Sequence, residues 1–178
     1  SASLNRDEVC DAFREQGLNR LYFFSYITHA PTITDYGLLS KNNMKAAGLP
    51  YESFANPEVQ ARREAQEFTT SAHETRAGHD MVPFYFTTKT PTLYRVRERQ
   101  NKFVFWTLPV DCIKDEGIEF AFTDGNLGSN NTLVYFHQAD VKNVPFDVIK
   151  APYWPDLPDG TRKRNAEMLI HGNVPIDY

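Results

Sequence analysis

The sequence predicts an α+β fold. Its strand-like segments mostly follow one another across turns instead of alternating with long helices. Its helical patterns gather near the start and over 57–68, and it carries neither a GxGxxG turn nor a phosphate-binding loop. A doubly wound parallel sheet is thereby disfavoured, and any dinucleotide would bind without a glycine turn of the Rossmann kind. With 178 residues and 41% hydrophobic content the chain can bury a sizeable core, and residues 1–178 are read as one domain.

Asn5 or Asp7 caps a first helix running to Gln16, with Val9, Cys10, Ala12 and Phe13 turned inward and Gly17 as its stop. Residues 20–27 (RLYFFSYI) are aromatic enough for a central strand, at whose end Thr28 and His29 meet Pro31 and a short turn or helix to Gly37. Asn56 followed by Pro57 opens NPEVQARREAQEF, a helix to about Phe68 with Arg62 and Arg63 in its middle. The polar stretch 69–80 reads as a mobile loop and a candidate lid. Three further strands are expected over 102–108, 118–123 and 132–137. The segment 143–158, with Trp154 among Pro152, Pro155 and Pro158, wraps the surface as irregular structure. A helix follows over 161–166, and 168–170 either prolongs it or starts a strand.

HDMVPFYFTTKTPTLY at 79–94 is the most informative stretch. Met81 to Phe86 is almost continuously apolar, as in a strand buried on both faces, yet it holds Tyr85 and runs into Thr87, Thr88, Lys89 and Thr90. Two readings fit: an edge strand leading into a helix with Pro91 at its first position, or one wall of a site for a flat, anionic ligand.

A net charge of −4 argues against wholesale coating of duplex nucleic acid. Local basic clusters remain: Arg62 with Arg63; Arg95, Arg97, Arg99 and Lys102; and Arg162, Lys163 and Arg164. Interleaved with 13% aromatic residues, they suit single-stranded bases better than a duplex backbone. No apolar run approaches the roughly 20 residues of a membrane span, no signal-peptide hydrophobic region is present, and only Cys10 and Cys112 occur, so a cytoplasmic protein without membrane contact is expected. HETRAGHD at 73–80 lacks the spacing of a zinc motif, and no metal is expected.

Glu167 stands where a basic segment meets an apolar one. It is either a surface helix residue or a carboxylate entering buried ground, where its charge must be used or paired. Arg63 is four residues before Glu67 and has an ordinary helical pairing available.

Together, YITH at 26–29, QARR at 60–63, HDMVPFYFTTKTPTLY at 79–94, FTDGN at 122–126, APYWPD at 151–156 and RKRNAEMLI at 162–170 resemble, in order, the DarT family of nucleic-acid ADP-ribosyltransferase toxins. The resemblance implies ADP-ribosyltransferase-like split antiparallel β-sheets with flanking helices. It also implies cleavage of NAD, as co-substrate, to place ADP-ribose on a base, typically in single-stranded DNA. It makes Glu167 the catalytic glutamate and Arg63 the catalytic arginine. It gives Tyr26, Thr28, His29, Tyr85, Thr92 and Asn126 to the cofactor, with Tyr85 stacked on nicotinamide. Arg62, His79, Lys89 and Tyr94 fall to the nucleic acid. A macrodomain-type antitoxin is the implied partner.

The chemistry agrees. Breaking the nicotinamide glycosidic bond builds positive charge on the ribose, which a nearby carboxylate stabilises. The chain departs from the family pattern at Tyr26, where many relatives have histidine, in a shorter turn between His29 and Gly37, and in ending at Tyr178, where relatives continue. An RNA-modifying relative and a catalytically silent single-strand binding module are the alternative readings.

Overall fold

The computed structural model describes residues 4–50 and 57–176. Asn5 caps helix α1 (Arg6–Glu15) by accepting from the Glu8 N–H at 3.1 Å, and Val9, Cys10 and Phe13 form its fully buried stripe. Strand β1 (Arg20–Tyr26) leads through a turn of 3₁₀-helix (Ile27–His29) into α2 (Ala30–Tyr36). Gly37, at φ +80°, then turns the chain into β2 (Leu38–Leu39). A methyl group at Gly37 would stand 2.7 Å from the Val174 carbonyl oxygen, so glycine is required there twice over. Ser40 caps α3 (Lys41–Ala46). Helix α4 (Pro57–Ala65) follows; the expected cap at Asn56 lies outside the described residues.

Beyond α4 come β3 (Glu67–Thr69), β4 (Thr75–Ala77), β5 (Met81–Tyr85) and α5 (Pro91–Arg95). Thr90 caps α5, and Pro91 occupies its first turn, where a missing N–H costs nothing. The remainder is β6 (Phe103–Pro109), β7 (Phe120–Thr123), β8 (Val134–Tyr135), α6 (Phe146–Lys150), α7 (Gly160–Arg164), β9 (Glu167–His171) and β10 (Asn173–Val174). No helix among the described residues is long and apolar enough to cross a membrane.

Six strands form one antiparallel sheet in the order β6-β1-β5-β9-β7-β8, and β10 with β2 and β3 with β4 make two small ribbons. The large sheet is nearly cut in two. β1 and β6 pair along their whole length, from Arg20 opposite Pro109 to Tyr26 opposite Phe103, and β5 and β9 pair from Met81 opposite His171 to Tyr85 opposite Glu167. Between β1 and β5 the only register pair is Tyr22 with Tyr85. Pro83, in mid-strand, has no N–H to offer a neighbour, which favours such a break.

Alternation along the strands separates two faces. Val82, Phe84, Phe120, Phe122, Met168 and Ile170 pack with α1 in the main core, where the Phe13 ring stacks on Phe86 with centroids 5.2 Å apart. Met81, Ala121 and Leu169 face the other way, with Phe68 and Leu127. Glu167, two residues before Leu169, therefore belongs to the second face.

The α+β architecture is as expected, and the near-division of the sheet gives physical content to the split. Several local expectations are corrected. The helix from Pro57 ends at Ala65, because Glu67–Thr69 pairs with Thr75–Ala77. The stretch 69–80 is consequently an ordered hairpin and turn and not an irregular lid. Its anchor is Glu119, which accepts from Arg76 Nε at 2.9 Å and Nη2 at 3.0 Å and from Thr70 Oγ1 at 2.6 Å. β5 lies inside the sheet, not at its edge, which removes the edge-strand reading of 81–86. Only Val134–Tyr135 of 132–137 is strand, and 168–170 belongs to a strand that begins at Glu167.

The turn after β4 passes so close to α4 that a methyl group at Gly78 would stand 2.1 Å from the Arg63 carbonyl oxygen. Gly78→Ala is therefore expected to cost roughly 2 kcal/mol or more of stability. A urea-unfolding midpoint equal to that of the parent would refute this close approach.

Candidate active site

A cavity of about 340 Å³ opens on the second face where the sheet divides. β1 contributes Phe23, Phe24 and Ser25 to its wall, and β5 contributes Met81, Pro83 and Tyr85. The helices close it with Lys41 from α3, Gln60 and Arg63 from α4, and Thr92 and Arg95 from α5.

At its base lies a buried ion pair between residues 104 positions apart. Arg63 Nη2 donates to Glu167 Oε1 at 2.6 Å and Nη1 donates to Oε2 at 3.0 Å, a two-pronged pairing that fits a planar guanidinium to a carboxylate. Glu167 is 0% exposed and Arg63 8%. Arg63 thus forms part of the cavity wall, while Glu167 sits behind it. Burial alone would lower the Arg63 pKa, but the Glu167 carboxylate outweighs it and holds the guanidinium more firmly protonated than usual.

Glu167 is also held from the loop after β7. Oε2 accepts from the Leu127 N–H at 2.8 Å, and the Glu167 N–H donates to Thr123 Oγ1 at 2.9 Å. Thr123 in turn donates to the Gly125 carbonyl at 2.6 Å, and Asn126 Oδ1 accepts from Arg63 Nη1 at 3.3 Å and from the Gly128 N–H at 2.8 Å. Arg162 Nη1 fixes this loop from outside by donating to Asp124 and to Thr132 Oγ1, each at 3.1 Å.

The described residues lining the cavity include three cations, Lys41, Arg63 and Arg95, and no carboxylate. Burial, with Arg63 nearby, pushes the Lys41 ammonium down to about 8. Burial and Lys41 likewise lower His79, whose Nε2 lies 3.1 Å from Gln60 Oε1. Tyr85 stands opposite Glu167 in the ladder; its ring stacks on Phe24 with centroids 5.6 Å apart, and its hydroxyl is hydrogen-bonded to Thr92. Burial and the Glu167 charge raise its pKa, keeping the phenol neutral. Asn165 is buried and lines the cavity, and its Oδ1 has no hydrogen-bond partner among the described residues. An orphan acceptor of this kind at a cavity wall awaits a donor. Among the described residues no group of three His, Cys, Asp or Glu side chains is placed to hold a metal ion.

Of the residues singled out in the sequence, Arg63, Tyr85, Thr92, Asn126, His29 and His79 line the cavity, with Glu167 bound directly behind Arg63. The others stand apart from it. Tyr26 packs on Phe103 with centroids 5.0 Å apart, and its hydroxyl accepts from Arg99 Nη1. Thr28 is exposed on the 3₁₀ turn, and Arg62 donates to the Gly128 carbonyl at 2.7 Å on the outer side of α4. Lys89 and Tyr94 are exposed beyond the rim. Sequence reasoning missed Lys41, Gln60, Thr161 and Asn165 as wall residues. Ser40 preceding Lys41 is a capping signal for α3, and Asn165 precedes Glu167 by a two-residue step, but neither feature is distinctive by itself.

A family model described as ssDNA thymidine ADP-ribosyltransferase, DarT, matches residues 22–178. A DNA ADP-ribosyl transferase of Thermus sp. (strain 2.9) is 26% identical over 104 residues, which are 54% of this chain and 50% of that protein. The chain thus aligns with only half of that relative. A DNA ADP-ribosyl transferase of Mycobacterium bovis (strain BCG / Pasteur 1173P2) is 25% identical over 169 residues, 88% of this chain and 72% of that protein. Thermus sp. 2.9 DarT in complex with ADP-ribosylated ssDNA superposes with a TM-score of 0.77 at 23% identity, over 89% of this chain and 78% of that one. The same protein in complex with NAD+ gives 0.71 at 21% identity, over 88% and 77%.

The buried pair makes a stability prediction. Glu167→Gln leaves the Arg63 charge buried without its counter-charge and is expected to cost about 3 kcal/mol. Combining Arg63→Met with Glu167→Leu should recover most of that loss, since neither charge then needs solvation. Denaturant unfolding of the three variants checks both points, and a silent Glu167→Gln would contradict the pairing.

Proposed function

The chain belongs to the DarT family, and from this premise we propose that it is an NAD-dependent ADP-ribosyltransferase that modifies a base in single-stranded DNA. The observation that carries the reading is the Arg63–Glu167 pair at the base of a cavity whose described wall residues include cations and no carboxylate. An elongated ligand with an anionic diphosphate and a flat aromatic end suits such a wall. Lys41, Arg63 and Arg95 attract the phosphates, and Tyr85 with Phe24 offers rings to the nicotinamide end. The NAD+ complex of the Thermus relative supports the same ligand, as the complex with ADP-ribosylated ssDNA supports the acceptor.

In this reading the bond between the ribose C1 and the nicotinamide nitrogen breaks, its electron pair leaving with neutral nicotinamide. A nitrogen of the acceptor base forms the new bond to C1 and gives up its proton. Glu167 stabilises the positive charge that develops on the ribose and takes that proton, which then passes to solvent. Three donors reach its carboxylate, two from Arg63 and one from Leu127. A carboxylate accepts at roughly four positions, so about one remains; because Glu167 is fully buried behind Arg63, a ribose hydroxyl or the departing proton reaches it when the Arg63 side chain shifts toward the bound ligand. Arg63 holds the carboxylate in place and meets the ligand from the wall. Asn165 Oδ1 supplies a further acceptor for a ligand N–H or O–H. His29, Thr92 and Asn126 complete the cofactor contacts, while Tyr26 and Thr28 act only through the turn that carries His29. Family membership further supports a toxin role, with a macrodomain-type partner that removes the modification.

Labelled NAD incubated with single-stranded DNA, the same sequence as a duplex, and RNA is expected to label the single-stranded DNA. Glu167→Ala should lower transfer by about 100-fold or more. Absence of label on every strand, with NAD intact, would overturn the proposal.

NAD affinity should also depend on pH in a definite direction. Lys41 is protonated below about 8 and loses its charge as the pH rises through that value. His79, shifted down, and Tyr85, shifted up, are both neutral there, and Arg63 stays charged. Binding measured by calorimetry should weaken on crossing pH 8, and Lys41→Met should flatten the profile.

A further inference from the structure

Helix α3 carries part of the cavity wall on a very short support. Its sequence, KNNMKA, has six residues, fewer than an isolated helix needs to persist, and two of them are asparagines, which favour caps and turns over helix interiors. Lys41 and Met44, three positions apart and so on one side of the helix, line the cavity. The two asparagines between them meet other partners. Tertiary contact, not helix propensity, therefore holds Lys41 at the wall.

The contacts converge on Asp80 and on the turn after β9. Asp80 Oδ1 accepts from Asn42 Nδ2 at 2.7 Å, and Oδ2 accepts from the Ala77 N–H at 2.9 Å. The Asp80 carbonyl accepts from the Gly172 N–H at 3.0 Å, and the Gly172 carbonyl accepts from the Ser40 N–H at 2.8 Å. Asn43 Nδ2 donates to Asn173 Oδ1 at 2.8 Å. Burial alone would raise the Asp80 pKa, but the Ala77 and Asn42 donors, with His171 and Arg76 nearby, outweigh it and keep the carboxylate ionised. One charged side chain thus ties the end of β4 to α3, while its own backbone ties the same point to the β9–β10 turn.

The other end of that path is the buried carboxylate. β9 begins at Glu167 and ends at His171, one residue before Gly172. The strand that presents Glu167 at one end therefore anchors α3 at the other, and Lys41 is placed by reference to the same backbone as the buried pair. Just ahead of α3, Leu38 pairs with Val174 and Leu39 with Asn173. Those backbone pairs set where the helix starts. Its rotation about its own axis, and so the direction of Lys41, is left to the side chains of Asn42 and Asn43.

Resting on the proposed NAD reading, we infer that Asp80 and Asn42 form a positioning clamp that turns Lys41 toward the diphosphate of the bound dinucleotide. Neither residue lines the cavity, so both act through α3. The bond between them is directional, because an ionised carboxylate only accepts and the amide supplies the donor. It can accordingly be broken and rebuilt. Asn42→Ala removes the donor, and Asn42→Asp sets two carboxylates face to face. Combining Asn42→Asp with Asp80→Asn exchanges donor and acceptor, and the amide oxygen introduced at position 80 still accepts from Ala77.

Two measurements separate the clamp from the function. In the transfer reaction Asn42→Ala should raise the NAD KM about five-fold and Asn42→Asp by more, with kcat and the oligonucleotide KM held, and the exchanged pair should return to within about two-fold of the parent. In ligand-free protein, acylation of Lys41 followed by mass spectrometry across pH should accelerate near 8 in the parent, where the amine loses its proton. The same step should move to higher pH in Asn42→Ala, whose Lys41 is released to solvent, and return toward the parent in the exchanged pair. An Asn42→Ala protein with the parental NAD KM and the parental Lys41 profile would overturn the inference. So would a kcat that falls together with the thermal midpoint and is not rescued by the exchange, since that is loss of fold and not of position. A parent that binds no NAD and transfers to no strand would sink the functional reading, and the ligand-free Lys41 profiles would still decide whether the clamp holds α3.

Discussion

The Arg63–Glu167 pair is the constraint around which the rest of this structure is arranged. A buried carboxylate and a buried guanidinium each lose hydration on folding, and their mutual attraction repays that loss only when the geometry is good and the remaining acceptors are filled. Here Leu127 supplies a third donor, Thr123 anchors the Glu167 backbone, and Asn126 leans on the guanidinium. The loop after β7, the strand β9 and the helix α4 are thus positioned by one set of charges. Apolar residues of similar volume would hold the same elements at least as well. The pair is best explained by what two opposite charges can do at a cavity wall, not by what they add to stability.

The location of that cavity follows from the sheet. A fully laddered sheet would have covered its second face with packed side chains, as its first face is covered by α1. The near-absence of pairing between β1 and β5 lets the two halves diverge, and the wall residues of both strands border the opening. Period-two alternation then assigns chemistry and packing to opposite sides of the same strands. Met168 and Ile170 fill the core, while Glu167 and Leu169 turn toward the site.

Much of this was legible in the chain, and the failures have physical causes. Caps and prolines marked α1 and α5 well, because their signals are local and steric. The aromatic strands were also plain, since burial on both faces needs nearly continuous apolar sequence. Short elements escaped: α3 has six residues and α6, inside the segment 143–158 expected to be irregular, has five, too few for a period to declare itself. Glu67 offered Arg63 a local partner, whereas the real partner, Glu167, lies in β9. Pairing across the fold leaves no trace in spacing. The family resemblance, not periodicity, joined Arg63 to Glu167. The resemblance gave Tyr26 and Thr28 to the cofactor; on this fold Thr28 is exposed on the 3₁₀ turn and Tyr26 packs against Phe103, outside the cavity lining.

Charge is segregated in a way that the overall value conceals. An acidic protein should repel a polyanion, and over distances beyond the Debye length of about 10 Å at moderate salt this one does so only weakly. At close range the field is set by what lines the approach. The described wall residues of the cavity include cations and no carboxylate, the chain between 89 and 102 is strongly basic, and the Glu167 carboxylate behind the wall is paired with Arg63. α5 joins the two regions, since Thr92 and Arg95 face inward while Tyr94 faces out. Five residues thus connect the cavity wall with an exposed outer surface.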